Sequence, residues 1–264
     1  MPDLKETVTI PRKLLPIIYV IDTSGSMEGY KISSVNEAIR ETVDVLREIS
    51  EENPSAELKI GILTFSSNAE WITQDGFKFL EDYYWNDLQA GGLTDFGSAL
   101  CELDKKLSRN GFLDDPIGYK IPVIIFLSDG EPTDDNWESV LVKTEANNKW
   151  FQMATKIAIA VENANEEVLA KIVGNRNSVI HIDDMGTLKK LITVVSVVAS
   201  RVGSESRTNG GSQNEVIAAI KSQLDDTVKR VIPISSDDIT YTDTDSFPTW
   251  NEDSDDVWGS GNWE

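Results

Sequence analysis

The chain has 264 residues, of which 40% are hydrophobic, and this is enough for one α/β domain with a modest extension. Its formal net charge of −21 and its pI of about 4.4 repel phosphate groups and anionic lipids, so we exclude nucleic acids and membranes as partners. It has one cysteine, no apolar signal-peptide core near the N-terminus and no apolar run approaching the about 20 residues of a membrane span, which together predict a cytoplasmic protein.

Strand and helix patterns alternate along the chain from Leu14 onward. The strands are apolar runs rich in Val and Ile, and the helices carry apolar residues three and four positions apart. We predict strands at residues 14–21, 58–65, 69–73, 121–127, 155–161 and 178–182. We predict helices at residues 30–52, 95–109, 134–151, 166–173 and 185–202. The alternation is typical of a Rossmann-like α/β fold, with a mostly parallel central sheet flanked by helices on both faces.

Composition divides the chain into five parts. Residues 1–13 form an N-terminal segment, and residues 14–203 form the α/β domain. Residues 204–212, rich in Gly, Ser and Asn, predict a linker, and the apolar spacing over 213–232 predicts a further helix. Residues 233–264 contain Asp and Glu but no Lys or Arg, which predicts a disordered acidic tail.

The first candidate ligand motif follows the first predicted strand, where Asp22, Ser24 and Ser26 occupy alternate positions. Open α/β sheets place their ligand sites at the carboxyl ends of strands. One carboxylate and two hydroxyls are hard oxygen donors, which suit Mg²⁺, Mn²⁺ or Ca²⁺ better than zinc. Ser and Asp are also common in turns and helix caps, so this motif alone leaves a purely structural role open.

Two later loops offer the same kind of donor. Thr94 lies in a glycine-rich loop before a predicted helix, and Asp129 follows the apolar strand at 121–127. Three such loops converging on one cation are much rarer by chance than any one of them. The sequence therefore predicts a divalent-metal site where these three loops meet.

This set of motifs resembles the von Willebrand factor A (VWA) domain with a complete metal-ion-dependent adhesion site (MIDAS). Asp22, Ser24 and Ser26 match the first motif of the family, Thr94 matches the second and Asp129 the third. The resemblance implies a metal ion with an open coordination position, which an acidic group from outside completes. It implies Mg²⁺ first, with Mn²⁺ or Ca²⁺ as alternatives.

The resemblance extends over residues 14–203. The sequence of the loop at 128–134, Ser-Asp-Gly-Glu-Pro-Thr-Asp, is most similar to the TerY-like branch of VWA proteins. That branch occurs in bacterial tellurium-resistance and stress-response operons. The resemblance implies a protein-interaction module in a stress-response or antiviral (phage-defence) system, with a PP2C-type phosphatase and a protein kinase of the same operon as partners. A second implication is an adaptor of a MoxR-type AAA+ ATPase.

A Mg²⁺-dependent phosphoryl-transfer enzyme, such as a metal-dependent phosphatase, is the alternative from another class. The segment Asp22–Ser24 superficially resembles the first motif of an aspartyl-phosphate phosphatase. That reaction requires a second acidic residue at the position that Ser24 occupies. The glycine-rich loop at 91–95 has no nearby lysine to bind phosphate, and the chain has no P-loop motif. We therefore expect the protein not to be an enzyme.

Three acidic residues lie beside the predicted ligands. We expect Asp95 to cap the following helix or to support a ligand by hydrogen bonding. We expect Glu131 and Asp134 to be solvated loop acids, and a role in recognition at the rim of the site is the alternative. His181, the single histidine, is expected to be structural because no Ser or Cys pattern points to it.

Aromatic residues and the cysteine are expected to be structural as well. Cys101 lies in an apolar helical pattern, which predicts a core position. The run Tyr83-Tyr84-Trp85 is interpreted as packing, with an exposed contact patch as the alternative. Core or loop packing is expected for Trp71, Trp85, Trp137 and Trp150.

The acidic tail has three interpretations. It solvates the protein, or its aspartates occupy the metal site in cis or in a neighbouring subunit. In the third interpretation, a partner kinase phosphorylates hydroxyls that stand among the acids. These hydroxyls belong to Thr242, Thr244, Ser246 and Ser254.

Overall fold

A seven-stranded sheet forms the centre of the protein in the computed structural model, which describes residues 11–205 and 213–223. The strands are β1 Lys13–Asp22, β2 Ala56–Phe65, β3 Ala69–Trp71, β4 Lys78–Phe79, β5 Val123–Ser128, β6 Thr155–Val161 and β7 Val179–Ile182. Their order is β3-β2-β1-β5-β6-β7, and β4 also pairs with β2. Only β3 and β4 run antiparallel to their neighbour β2, so the predicted mostly parallel sheet is confirmed.

Seven α-helices of the described residues cover the two faces of this sheet. They are α1 Tyr30–Glu52, α2 Phe96–Lys106, α3 Trp137–Asn147, α4 Lys149–Met153, α5 Glu166–Val173, α6 Met185–Glu205 and α7 Gln213–Gln223. One hydrophobic core contains buried residues of α1, α6 and α7, and the other contains those of α2 to α5. No helix in the described ranges is long and apolar enough to cross a membrane.

The central strand β1 explains why the site forms where it does. Nine of its ten residues are buried, and its side chains alternate between the two cores, with Ile17 and Tyr19 on one face and Ile18 and Val20 on the other. It pairs in parallel with β2 on one side and β5 on the other. The carboxyl ends of these three strands therefore meet at one edge, with Ile21 opposite Leu127 of β5.

The helix predicted at 134–151 is wrong in one respect, because the structure divides it into α3 and α4. Asn148, which is buried, stands at the break. Its Oδ1 accepts from the N–H of Phe151 at 3.0 Å, and its Nδ2 donates to the carbonyl oxygens of Asp104 and Leu107. An asparagine that caps the next helix and ties it to α2 favours a new helix over a continuous one.

The end of the domain also differs slightly from the prediction. Helix α6 continues to Glu205, so residues 204 and 205 are helical where the predicted linker begins. Ser204 is buried, its Oγ donates to the carbonyl oxygen of Ser200, and it accepts from Nδ2 of Asn53, the C-cap of α1. These contacts hold the last turn of α6 against α1. Residues 1–10, 206–212 and 224–264 lie outside the described residues, and so do the predicted acidic tail and its four candidate phosphorylation sites.

The packing prediction for Cys101 is wrong, the one for Tyr83-Tyr84-Trp85 holds for two of the three residues, and the one for the tryptophans is confirmed. Cys101 is exposed on α2 and does not lie in the core. Tyr83 is buried and Trp85 packs against the core, so Tyr84 alone is exposed and the three residues make no continuous contact patch. The tryptophans pack as expected: Trp71 and Trp137 are buried, and Trp85 and Trp150 lie against the two cores.

Candidate metal centre

Three loops meet at the carboxyl edge of the sheet, after β1, before α2 and after β5. The loop before α2 is attached to the β1 loop by two backbone hydrogen bonds, from the N–H of Gly25 to the oxygen of Gly92 at 3.0 Å and from the N–H of Gly91 to the oxygen of Thr23 at 2.8 Å. Gly91 and Gly92 have φ values of 157° and 92°. The φ of Gly92 lies in the positive region, which glycine adopts far more readily than other residues do. This conformation allows the close approach of the two loops.

Asp22, the last residue of β1, is buried, and each of its carboxylate oxygens accepts a hydrogen bond. Its Oδ1 accepts from the N–H of Ser24 at 2.8 Å, and its Oδ2 accepts from the hydroxyl of Ser128 at 2.6 Å. Burial raises the pKa of this carboxyl, hydrogen bonds from Ser128 and Ser24 lower it, and the nearby charge of Asp129 raises it; the net shift is upward. A buried carboxylate of this kind is stabilised in its charged form by a cation.

A chain of hydroxyl groups joins the β1 loop to the β5 loop. The Oγ atoms of Ser24 and Ser26 lie 3.0 Å apart, and Ser26 donates to Oδ1 of Asp129 at 2.7 Å. The Asp129 side chain has no exposed surface. Each hydroxyl keeps a lone pair that can bind a cation while its proton stays in a hydrogen bond.

Thr94 is held against the β5 loop by its backbone. Its N–H donates to Oγ1 of Thr133 at 3.0 Å, and its carbonyl oxygen accepts from the N–H of Thr133 at 2.9 Å. This pair of contacts fixes the position from which the Thr94 hydroxyl faces the β1 loop.

The space beside Gly130 shows how these oxygens are arranged. A Cβ atom added to Gly130 would lie 3.4 Å from Thr94 Oγ1, 3.6 Å from Asp22 Oδ2 and 3.6 Å from Ser26 Oγ. One oxygen from each of three predicted ligands therefore surrounds a single point, which glycine leaves open. Because every predicted donor is a carboxylate or hydroxyl oxygen, the arrangement fits a hard divalent cation.

Lys31, which was not predicted to be a site residue, forms an ion pair with the candidate ligand Asp129. Its Nζ donates to Asp129 Oδ2 and lies 2.9 Å from Oε2 of Glu162, which follows β6. Burial lowers the pKa of Lys31, but the hydrogen bonds and charges of the two carboxylates outweigh burial, so the pKa is raised. Its position at the start of α1, shortly after Ser26, was the available signal in the sequence.

The three neighbouring acids are hydrogen-bonded in different ways. Asp95 is the N-cap of α2, and its Oδ1 accepts from the N–H of Ser98 at 2.8 Å. Asp134 accepts from the first two N–H groups of α2 at 3.0 and 3.1 Å, so it is not simply a solvated acid. Burial and the charge of Asp95 raise the pKa of Asp134. Glu131, which is exposed, accepts from Nδ2 of Asn165 at 3.3 Å.

His181 takes no part in this cluster. It lies on β7 with its two ring nitrogens 2.7 Å from a carboxylate oxygen of Glu166 and 2.9 Å from one of Asp183. Over the described residues, no group of three or more His, Cys, Asp or Glu side chains is arranged to hold a metal ion. The centre at Asp22 and Asp129 differs from such a group because hydroxyls provide much of its donor set.

Two exposed apolar side chains lie close in sequence to candidate ligands, and we call them the apolar rim. Leu93, next to Thr94, is 59% exposed, and Tyr30, at the start of α1, is 69% exposed. Both belong to segments that build the site, one on the α2 side and one on the β1 side.

Two sequence comparisons show what the chain is similar to. The family model for the von Willebrand factor type A domain matches residues 17–194. Inter alpha-trypsin inhibitor, heavy chain 4, of Mus musculus is 28% identical over 130 residues, which are 47% of this chain and 13% of that protein. The chain thus corresponds to a small part of the mouse protein.

Solved structures with a similar fold come from animals and bacteria. Proximal thread matrix protein 1 (PTMP1) from the mussel byssus has a TM-score of 0.52 at 18% identity, with 70% of this chain and 48% of that chain covered. A form of PTMP1 with a zinc-occupied MIDAS motif has a TM-score of 0.51 at 17% identity, with 71% and 46% covered. The PilB minor pilin from Streptococcus sanguinis has a TM-score of 0.51 at 12% identity, with 74% and 62% covered. At these identities the likeness concerns the fold.

Proposed function

Since the chain belongs to the von Willebrand factor type A domain family, we propose that it is a metal-dependent protein-interaction module. The observation that carries this proposal is the convergence of Asp22, Ser26 and Thr94 oxygens around the space beside Gly130. Ser24 and Asp129 complete the set of residues that would hold the ion. Each of them forms a hydrogen bond with the Ser26 hydroxyl. When bound, a divalent cation offers a coordination position to an Asp or Glu carboxylate of the partner.

The charges of the site favour an acidic partner group. The hydroxyls of Ser24, Ser26 and Thr94 are neutral donors, so they leave the charge of a cation uncompensated. The two carboxylates of the donor set, Asp22 and Asp129, at most balance the charge of a divalent cation, and the ammonium group of Lys31 lies beside them. A loaded site therefore keeps positive charge on its open side, although the whole chain is acidic.

The apolar rim adds a second requirement for the partner. Leu93 and Tyr30 expose 59% and 69% of their surfaces, and covering such side chains strengthens an interface. We propose that the bound segment carries an acidic residue flanked by apolar side chains, the acid for the metal and the apolar groups for the rim.

Mg²⁺ is our first choice of cation, with Mn²⁺ and Ca²⁺ as alternatives. The oxygen-only donor set supports this choice, because zinc in proteins prefers nitrogen and sulfur ligands. Zinc belongs in the test as well, since it occupies the MIDAS motif of one form of the mussel byssus protein.

The biological setting that we propose is a bacterial stress-response or phage-defence system. The TerY-like wording of the loop at 128–134 supports a complex with a protein kinase and a PP2C-type phosphatase, and an adaptor of a MoxR-type AAA+ ATPase is the second candidate. The neighbouring genes discriminate the two. A kinase and a phosphatase gene favour the first, and an AAA+ gene favours the second.

We propose that the module is not catalytic. Ser24, at the position where an aspartyl-phosphate phosphatase wants a second acid, has its hydroxyl 3.0 Å from that of Ser26 and its N–H on Asp22, which suits a donor to a metal. Metal-dependent phosphatase turnover that is lost in Asp22→Ala would contradict this part of the proposal.

The test is a capture experiment from native lysate with Mg²⁺ or with EDTA, using the wild type and Asp129→Ala. We expect a partner that is retained only by the wild type and only with Mg²⁺. A matched variant, Asp183→Ala, removes a carboxylate beside His181 and should retain the partner. A partner retained in every condition would show that the contact surface lies elsewhere and would contradict the proposal.

A further inference from the structure

The candidate metal centre already contains one positive charge, the ammonium group of Lys31. Both oxygens of the buried Asp129 carboxylate are engaged, Oδ1 by the Ser26 hydroxyl and Oδ2 by Lys31. A metal ion that is to gain the charge of Asp129, directly or through a water molecule, therefore competes with Lys31 for it. Two cations on one carboxylate also repel each other in a site with little solvent.

Glu162 provides Lys31 with a second anion. Its Oε2 lies 2.9 Å from Nζ, and its side chain is 36% exposed, whereas the Asp129 side chain has no exposed surface. Among the residues that the structure describes, Glu162 is the only non-glycine residue with a positive φ, which is 50°. Such a backbone is uncommon for a residue with a Cβ atom, and strained backbones of this kind cluster at functional sites.

The backbone of Glu162 is fixed in this conformation. Its N–H donates to the carbonyl oxygen of Ile182 on β7 at 2.7 Å, which places the side chain at the carboxyl edge of the sheet. Glu162 is therefore an anion beside Lys31 that does not depend on Asp129.

We propose that Lys31 is a built-in competitor of the metal ion, which neutralises Asp129 in the metal-free protein and is released to Glu162 when the metal binds. This inference rests on the proposed metal-dependent function and adds its regulation, because Lys31 and Glu162 then set the concentration at which the site fills. In the metal-free protein, Lys31 also stabilises a carboxylate that would otherwise be buried without a counter-charge.

The first experiment measures Mn²⁺ affinity of the full chain by calorimetry, at one fixed salt concentration. We expect Lys31→Met to lower the dissociation constant on the order of tenfold and Lys31→Arg, which keeps the charge, to stay near the wild type. Lys189→Met is the matched control, because it removes the same charge from a lysine that pairs with Glu37 and Glu41 of α1; its affinity should be unchanged. An unchanged dissociation constant in Lys31→Met would overturn the inference.

Glu162→Gln tests the second anion. It leaves Asp129 as the only anionic partner of Lys31, so we expect weaker Mn²⁺ binding, by about threefold or more. In the Lys31→Met background the same change should have little effect, because Glu162 acts through Lys31. An effect of Glu162→Gln that is equally large in both backgrounds would mean that its charge acts on the metal directly, and this would overturn the role of Glu162.

Thermal unfolding separates competition from a purely structural role. The metal-free Lys31→Met variant should have a lower Tm than the wild type, because Asp129 stays buried and unpaired. Saturating Mn²⁺ should remove most of this difference, since the ion then supplies the counter-charge. An equal loss of Tm with and without Mn²⁺ would overturn the proposal. A wild type that binds no divalent cation would instead overturn the proposed function itself.

Discussion

The hydroxyl oxygen of Thr94 lies 3.4 Å from the point that a Cβ atom on Gly130 would occupy. The two residues belong to different loops, which are joined by the backbone pair between Thr94 and Thr133. Asp22 Oδ2 and Ser26 Oγ are each 3.6 Å from the same point. Gly130 therefore leaves open the space around which the candidate ligands gather, and this space can be filled by a single methyl group.

Gly130→Ala should block metal binding without unfolding the protein. The added methyl group makes only ordinary van der Waals contacts in the metal-free protein, so its Tm should change little. We expect the affinity for Mn²⁺, measured by calorimetry, to fall at least about tenfold, because the methyl group intrudes among the donor oxygens.

The matched control for this variant is Gly25→Ala. A Cβ there would lie 3.4 Å from the carbonyl oxygen of Gly92, with no oxygen of Asp22 or Thr94 within 4 Å. Its Mn²⁺ affinity should stay close to that of the wild type. If Gly130→Ala binds Mn²⁺ as tightly as Gly25→Ala does, the ion does not occupy the space beside Gly130.

Asp22 should make the metal-free protein less stable as the pH rises. Its folded-state pKa is raised above the ordinary value of 3.8, so the folded chain holds this proton more tightly than the unfolded chain does. Its contribution to stability is therefore fully present below the unfolded-state pKa and is lost as the pH rises through the raised folded-state pKa. Asp22→Asn removes this loss and should be relatively more stable at neutral pH in EDTA.

The measurement is the free energy of unfolding in urea for the wild type and Asp22→Asn, from pH values below the ordinary Asp pKa of 3.8 up to neutral pH. The difference between them isolates Asp22, because Asp134, whose pKa is also raised, is present in both proteins. Saturating Mg²⁺ should reverse the order at neutral pH, since the ion binds the ionised carboxylate of the wild type. A difference that does not depend on pH would contradict this account of Asp22.

Asp134→Ala should destabilise the protein more than it weakens metal binding. Its two oxygens accept from the N–H groups of Phe96 and Gly97, which have no partner inside α2. Loss of such a cap costs about 1–2 kcal/mol of unfolding free energy, measured in urea. Asp135→Ala, a neighbouring exposed acid, is the control and should leave stability within about 0.5 kcal/mol. A tenfold loss of Mn²⁺ affinity in Asp134→Ala would instead place Asp134 in the site.

Leu93→Ser should weaken partner binding while metal affinity stays the same. Leu93 is 59% exposed at the rim, and burying a leucine side chain in an interface contributes about 1–2 kcal/mol, or about tenfold in affinity. Val142→Ser is a suitable control, because Val142 is 67% exposed on α3 and outside the site. Equal partner affinity for the two variants, measured with the captured partner, would exclude Leu93 from the interface.

The errors of the sequence analysis have a common cause. Apolar spacing over 134–151 is compatible with one helix, and the contacts of Asn148 with Asp104 and Leu107, at the end of α2, favour its division. Cys101 fits an apolar helical pattern but lies on the exposed side of α2. In both cases the sequence pattern is local, whereas the outcome depends on which neighbours the helix meets.

The sequence by itself determined the alternation of strands and helices, and with it the position of Asp22 and Asp129 at the carboxyl ends of two strands in a mostly parallel sheet. Parallel pairing brings the carboxyl ends of such strands to one edge, so these residues are placed together by topology alone. Only the tertiary structure decided that Thr94 faces them across Gly130, that Ser128 binds Asp22, and that Lys31 lies between Asp129 and Glu162. These contacts join residues far apart in the chain, and their distances depend on how the loops pack, which no local pattern of residues specifies.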